Sequence, residues 1–119
     1  MSLNIPLLSE LCALPGAPGY EQAIRERVMK EVESLVDEVR IDNMGNLIAL
    51  RYGKNRDERV MAAAHLDEIA FIITHIDKEG YAHFHTMGGF DPKTLTAQRV
   101  LVHGEETLVG VMGSKPIHI

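Results

Sequence analysis

The residues best placed to do chemistry lie between Val60 and Ala70, in the stretch VMAAAHLDEIA. An apolar run ends there in His65, Asp67 and Glu68, so ionisable groups stand where a buried strand would reach the rim of a sheet. Side chains alternate along an extended backbone, which predicts that His65 and Asp67 point to the same side. One of the two could bind a metal ion while the other helps to fix the site. The alternative is a strand-end histidine that is hydrogen-bonded to a nearby carboxylate.

Two further histidines, His83 and His85, lie two positions apart on a predicted strand and therefore face the same side, as metal ligands could. No Cys, Asp or Glu stands at a suitable spacing to act as a third ligand. Surface-facing strand histidines are therefore the favoured interpretation.

The length and charge of the chain limit its class. At 119 residues it has the size of one modest domain. Its net charge of −5 comes from mixed charges without a long basic run, which argues against nucleic-acid partners and against anionic membranes. Small or peptidic partners are favoured instead. No apolar run reaches the roughly 18 to 20 residues of a membrane span, and the start lacks the pattern of a signal peptide.

The single cysteine, Cys12, bears on the compartment. One cysteine cannot form an internal disulfide, which favours the reducing cytoplasm. Because Cys12 lies in an apolar helical pattern, it is predicted to be a small buried hydrophobe rather than a reactive thiol. With no membrane span or signal peptide predicted, the expectation is a soluble cytoplasmic protein.

Two helices are predicted in the first third of the chain. The first has Asn4 as N-cap and ends at Leu14, where the glycine- and proline-rich residues 15–19 begin. That loop could approach a ligand closely, or it could simply connect two helices. The second helix, residues 20–36, carries apolar residues on one face and charges on the others.

Strands are predicted in the rest of the chain. Residues 38–41 and 47–52 flank an Asp-Asn-Met-Gly-Asn turn and form a hairpin. A third strand is expected at 59–65, ending at His65. Beyond it only short strands separated by turns are predicted, at 69–76, 81–87, 98–103 and 107–112. The fold class is therefore α/β, with helices and strands up to residue 68 and β-structure from residue 69.

Several short motifs lie along nearly the whole chain: LPGAPGYE at 14–21, DNMGN at 42–46, AHLDEI at 64–69, MGGFDP at 87–92, QRV at 98–100 and GVMGSKP at 110–116. Taken together, they resemble a known family, the cytosolic metallo-aminopeptidases that include glutamyl aminopeptidase and the tetrahedral aminopeptidases. The order and spacing of the motifs make this likeness specific. Some members of that family have been labelled cellulases or endoglucanases.

The resemblance implies part of a zinc-peptidase catalytic domain at 1–68, followed by part of an inserted, β-barrel-like dimerisation domain at 69–119. By resemblance His65 would bind one of two divalent metal ions, zinc or cobalt, and Asp67 would be the catalytic residue that orients this site. Leu66 and Ala70 stand where the family commonly has Met and Gly. Members of the family are much longer than this chain, and their remaining metal ligands lie downstream. The chain is therefore expected to be incomplete and inactive alone.

The function that the resemblance implies is removal of N-terminal residues from peptides by a homo-oligomeric enzyme, dimer-based and up to a dodecamer in size. One alternative is a non-catalytic binding or assembly module. Another is glycoside hydrolysis, which would require two carboxylates flanking a sugar cleft. Asp67 and Glu68 are neighbours that would point opposite ways on a strand, so they make a poor pair.

Overall fold

A computed structural model of the chain describes residues 3–55 and 57–113. The chain divides into two compact units, Met1–Met87 and Gly88–Ile119. The described residues combine helices with strands, as the predicted α/β class requires: both α-helices come first and six strands follow. The predicted domain boundary between residues 68 and 69 remains a prediction. The end of the last family-like motif, residues 114–116, lies outside the described residues. Within the described ranges, no helix is both long and apolar enough to span a membrane.

Helix α1 spans Ile5–Ala13, and its start and end match the prediction. The side chain of Asn4 accepts a hydrogen bond from the amide of Leu7 at 3.2 Å, which satisfies one of the free N–H groups of the first turn. Helix α2 spans Gln22–Val32 and then tightens into a 3-10 turn at Glu33–Leu35, so it is shorter than predicted. Such 3-10 turns are frequent at the ends of α-helices.

The first unit contains two antiparallel hairpins. Strands β1 (Glu38–Ile41) and β2 (Leu47–Leu50) pair as predicted, and Gly45 in their turn has a φ of 85°. That positive φ is one that glycine adopts without steric cost. Strands β3 (Ala70–Ile76) and β4 (Ala82–Met87) form the second hairpin, whose register shifts between Ile73 and His75.

The second unit contains a 3-10 turn, Pro92–Thr94, and a hairpin of β5 (Arg99–His103) and β6 (Thr107–Val111). Met112 is the buried hydrophobic residue of the described chain, with 8% of its surface exposed. Its backbone closes the hairpin, because its amide donates to the carbonyl of Gln98 at 2.8 Å. All three sheets in the described residues are two-stranded, so each keeps open edges.

The strand predicted at residues 59–65 is not formed in the structure. Val60 is 99% exposed and Met61 is 88% exposed, so neither side chain has a core to enter. A strand exists by pairing with a neighbour, and none of the three sheets in residues 3–55 and 57–113 includes this segment. The apolar sequence predicts a strand here, but the described residues offer no partner with which it could pair.

Candidate metal-binding site

His65 and Asp67 lie together at the end of this irregular segment. The Nδ1 atom of His65 is 2.8 Å from the backbone carbonyl oxygen of Asp67 and 3.2 Å from its carboxylate Oδ1. Both oxygens are acceptors, so in the neutral imidazole Nδ1 carries the proton and donates it to them. The lone pair then resides on Nε2. The imidazole is 83% exposed, which leaves Nε2 accessible to a ligand from solvent.

This arrangement suits a metal-ligating histidine. Such histidines usually donate their second N–H to a carboxylate or a carbonyl, which fixes the tautomer and raises the basicity of the ligating nitrogen. Within residues 3–55 and 57–113, no group of three or more His, Cys, Asp or Glu is assembled that could hold a metal ion. His65 thus offers one potential ligand nitrogen, oriented by Asp67.

Glu68 fixes the same segment to the loop between α1 and α2. Its carboxylate Oε1 accepts a hydrogen bond from the amide of Gly16 at 3.0 Å, and its own amide donates to the carbonyl of Gly16 at 2.8 Å. Gly16 is buried, and a Cβ there would lie only 3.2 Å from the carbonyl oxygen of Leu66 and 3.3 Å from Ile24 Cγ2. A side chain at this position would therefore push against both neighbours, so glycine favours the close approach of the two segments.

This two-point contact, the Gly16–Glu68 clamp, is absent from the sequence-based predictions. The sequence predicts that this loop either approaches a ligand or connects two helices, and the structure shows that it also binds the segment that carries His65. The available signal was the pair of glycines in residues 15–19, since glycine often marks close backbone approach. The identity of the approaching segment, more than fifty residues away, could not be read from the spacing.

An apolar groove of about 490 Å³ adjoins the clamp. Helices α1 and α2 form one side, and the segment that carries His65 forms the other. It is lined by Leu11, Cys12, Leu14, Gly16, Ile24, Val28, Ala64, His65, Leu66 and Glu68. Cys12 is exposed, so the prediction of a buried side chain is wrong. The helical pattern correctly marks an apolar face, but that face borders an open groove.

The remaining candidates behave as surface groups. His83 and His85 lie exposed on β4, as predicted. Asp67 and Glu68 bind different partners, His65 and Gly16 respectively, and so do not form the facing pair that glycoside hydrolysis requires. The glycosidase alternative is not favoured.

Comparison with known proteins supports the predicted family. The family model described as M42 glutamyl aminopeptidase matches residues 45–119. Lysyl aminopeptidase of Pyrococcus furiosus is 39% identical over 115 residues, which cover 95% of this chain and 33% of that protein. A TET aminopeptidase from a marine sediment Thaumarchaeota archaeon has a similar structure, with 34% identity and a TM-score of 0.89 over 97% of this chain and 32% of that one.

Two other solved structures reflect the different labels and assemblies of these relatives. A Thermotoga maritima structure titled endoglucanase is 36% identical, with a TM-score of 0.83 over 92% of this chain and 34% of that one. The Pyrococcus horikoshii TET1 peptidase, described as assembling into a tetrahedron or a large octahedral shell, is 38% identical. Its TM-score is 0.80, over 97% of this chain and 34% of that one.

The chain spans about a third of the length of the relatives that it matches. Over that third, both the sequence and the α/β fold agree with theirs, which confirms the resemblance read from the motifs. The chain belongs to the M42 glutamyl aminopeptidase family.

Proposed function

We propose that this chain is the His65-bearing part of a metal-dependent aminopeptidase that hydrolyses N-terminal residues from peptides. One observation carries the proposal. Asp67 holds Nδ1 of His65 at hydrogen-bonding distance, and Nε2 is left exposed and available to a metal ion. Membership of the M42 family supports the aminopeptidase reaction.

The proposed cofactor is a pair of divalent ions, zinc or cobalt, one of them held by His65. Imidazole nitrogen is a common ligand of both, and the acceptors around Nδ1 fit a neutral, ligating histidine. When bound, such ions supply a water nucleophile near neutral pH and polarise the peptide carbonyl. Asp67 keeps the proton on Nδ1 and fixes the ring direction, so it acts as a positioning residue for His65.

The proposed enzyme is a cytoplasmic homo-oligomer built from dimers, and this piece is inactive without the rest of the site. The tetrahedral and octahedral assemblies of the TET1 relative support the oligomer. The open edges of the β3–β4 and β5–β6 hairpins also support it, because unpaired strand edges readily add strands from another chain. We assign residues 69–119 to the dimerisation domain. The alternative of a non-catalytic assembly module is not favoured, because the matching family model and the relatives are aminopeptidases.

Variants of the complete enzyme that carries this sequence test the proposal. His65→Ala should remove most of the activity and lower the metal content, because alanine supplies no nitrogen ligand. Asp67→Asn should retain metal but bind it roughly 10- to 100-fold more weakly, the usual cost of losing a partner that orients a ligand.

Metal analysis, turnover and thermal melting should be measured together. If His65 is only structural, both variants will melt at lower temperature with unchanged metal stoichiometry and unchanged turnover per folded molecule. Full metal occupancy with normal turnover in His65→Ala would end the ligand assignment.

A further inference from the structure

Two histidines face each other across the β3–β4 hairpin. His75 and His83 are direct cross-strand partners, and their ring centroids are 5.7 Å apart with planes tilted by 36°. Both side chains are exposed. His85, two residues along β4 on the same face, pairs instead with Ile72.

The pairing of His75 with His83 depends on an irregularity in β3. Regular alternation would place His75 on the face opposite to Ile72, and therefore away from the histidines of β4. The register shift between Ile73 and His75 inserts Thr74 as an extra residue and returns His75 to the face of His83. Thr74 secures this geometry, since its hydroxyl donates to the carbonyl of His83 at 3.2 Å. Bulges of this kind re-aim a side chain.

Asp77 fixes the ring of His83. Its carboxylate Oδ2 lies 3.3 Å from His83 Nε2, while its Oδ1 accepts hydrogen bonds from the amides of Tyr81 and Glu79 at 2.8 and 3.1 Å. Because the Asp77 oxygen accepts from Nε2, the proton of a neutral His83 lies on Nε2, which leaves the lone pair on Nδ1.

We propose that His75 and His83 form a binding site for a divalent transition-metal ion such as Zn²⁺ or Ni²⁺, with Asp77 orienting His83. Two imidazoles that share one tetrahedral ion have ring centroids roughly 5 to 6 Å apart, given metal–nitrogen bonds of about 2.0 to 2.1 Å. The observed separation of 5.7 Å fits that spacing. Water completes the coordination, so this site binds more weakly than sites with three or four protein ligands. It is separate from His65 and does not rest on the aminopeptidase proposal.

Titration of this chain with Ni²⁺ or Zn²⁺ alone tests the site, with calorimetry for affinity and imidazole NMR signals for location. All variants are made in a His65→Ala background, which removes the other candidate ligand. His75→Asn and His83→Asn should each lower the association constant at least tenfold. Asp77→Asn should lower it roughly 10- to 100-fold, the range typical of a lost orienting partner. His85→Asn is the matched control, on the same face of the same strand, and should leave the affinity unchanged.

NMR spectra of the backbone amides will show whether each variant keeps the β3–β4 hairpin. Because His75 and His83 lie on different strands, their two variants test the site independently. Unchanged affinity in either His75→Asn or His83→Asn, with the hairpin intact, would overturn the proposal. It would also be overturned if His85→Asn weakened binding as much as they do, because that result indicates nonspecific binding to surface histidines.

Discussion

Removing the Glu68 carboxylate should loosen the segment that carries His65. In the Gly16–Glu68 clamp the carboxylate accepts a hydrogen bond from the amide of the buried Gly16 at 3.0 Å. Hydrogen bonds to charged groups contribute about 1.5 to 3 kcal/mol to stability. Glu68 itself is largely exposed, which reduces this value by solvent screening. We therefore expect Glu68→Ala to weaken the clamp by about 1 to 2 kcal/mol, since the backbone hydrogen bond from residue 68 to Gly16 remains.

Hydrogen exchange of individual amides measures this loss directly. A loss of one to two kcal/mol corresponds to a factor of about 5 to 30 in an opening equilibrium, so the amide at position 68 should exchange faster by that factor. Glu68→Gln is the matched control, because its amide oxygen can still accept from Gly16 and should preserve most of the protection. Equal exchange in Glu68→Ala and the unmodified chain would refute the clamp. If Glu68→Gln raised the exchange rate as much as Glu68→Ala, the hydrogen bond accepted from Gly16 would not explain the protection.

Three further predictions concern the chain as a whole. The 119-residue chain alone should not cleave aminoacyl-nitroanilides, because a catalytic zinc normally needs three protein ligands; robust, chelator-sensitive cleavage would contradict this. It should self-associate through its open strand edges, and light scattering that shows a monomer at all concentrations would count against that. Hydrogen bonds from Asn46 lower the pKa of Asp42, so the Asp42 carboxylate stabilises the β1–β2 turn while it is ionised. Protection of the turn amides from hydrogen exchange should therefore be lost as the pH falls below about 3.9, the usual pKa of an aspartate. Asp42→Asn should abolish this pH dependence.

Elements specified by local sequence were the ones that could be predicted. Strands β3 to β6 lie within two residues of their predicted bounds, because turn residues such as Asp77 and Gly80 punctuate them. The start of α1 was predictable because Asn4 caps it from within the same turn. The juxtaposition of His65 and Asp67 also depends on local spacing, and their roles in metal binding remain predictions.

Features that depend on distant residues could not be predicted. The strand expected at 59–65 needed a partner that its own residues do not reveal, and its apolar pattern alone could not supply one. The clamp joins Gly16 to Glu68 across 52 positions. The pairing of His75 with His83 depends on one extra residue in β3, and alternation read from the sequence predicts the wrong face.

Val60 and Met61, the exposed residues before His65, bear on how firmly the proposed metal ligand is held in place. A metal ligand must be held within about 0.5 Å of its productive position by its surroundings. Here the clamp and the start of β3 at Ala70 hold the segment after His65, while Val60 and Met61 before it stay almost fully exposed. Burying each of those side chains would contribute about 1.5 to 3 kcal/mol. We propose that in the complete enzyme other residues cover Val60 and Met61 and thereby also restrict His65. Val60→Ser and Met61→Ser should then weaken metal binding although neither residue is a ligand, and metal titration of the two variants measures this.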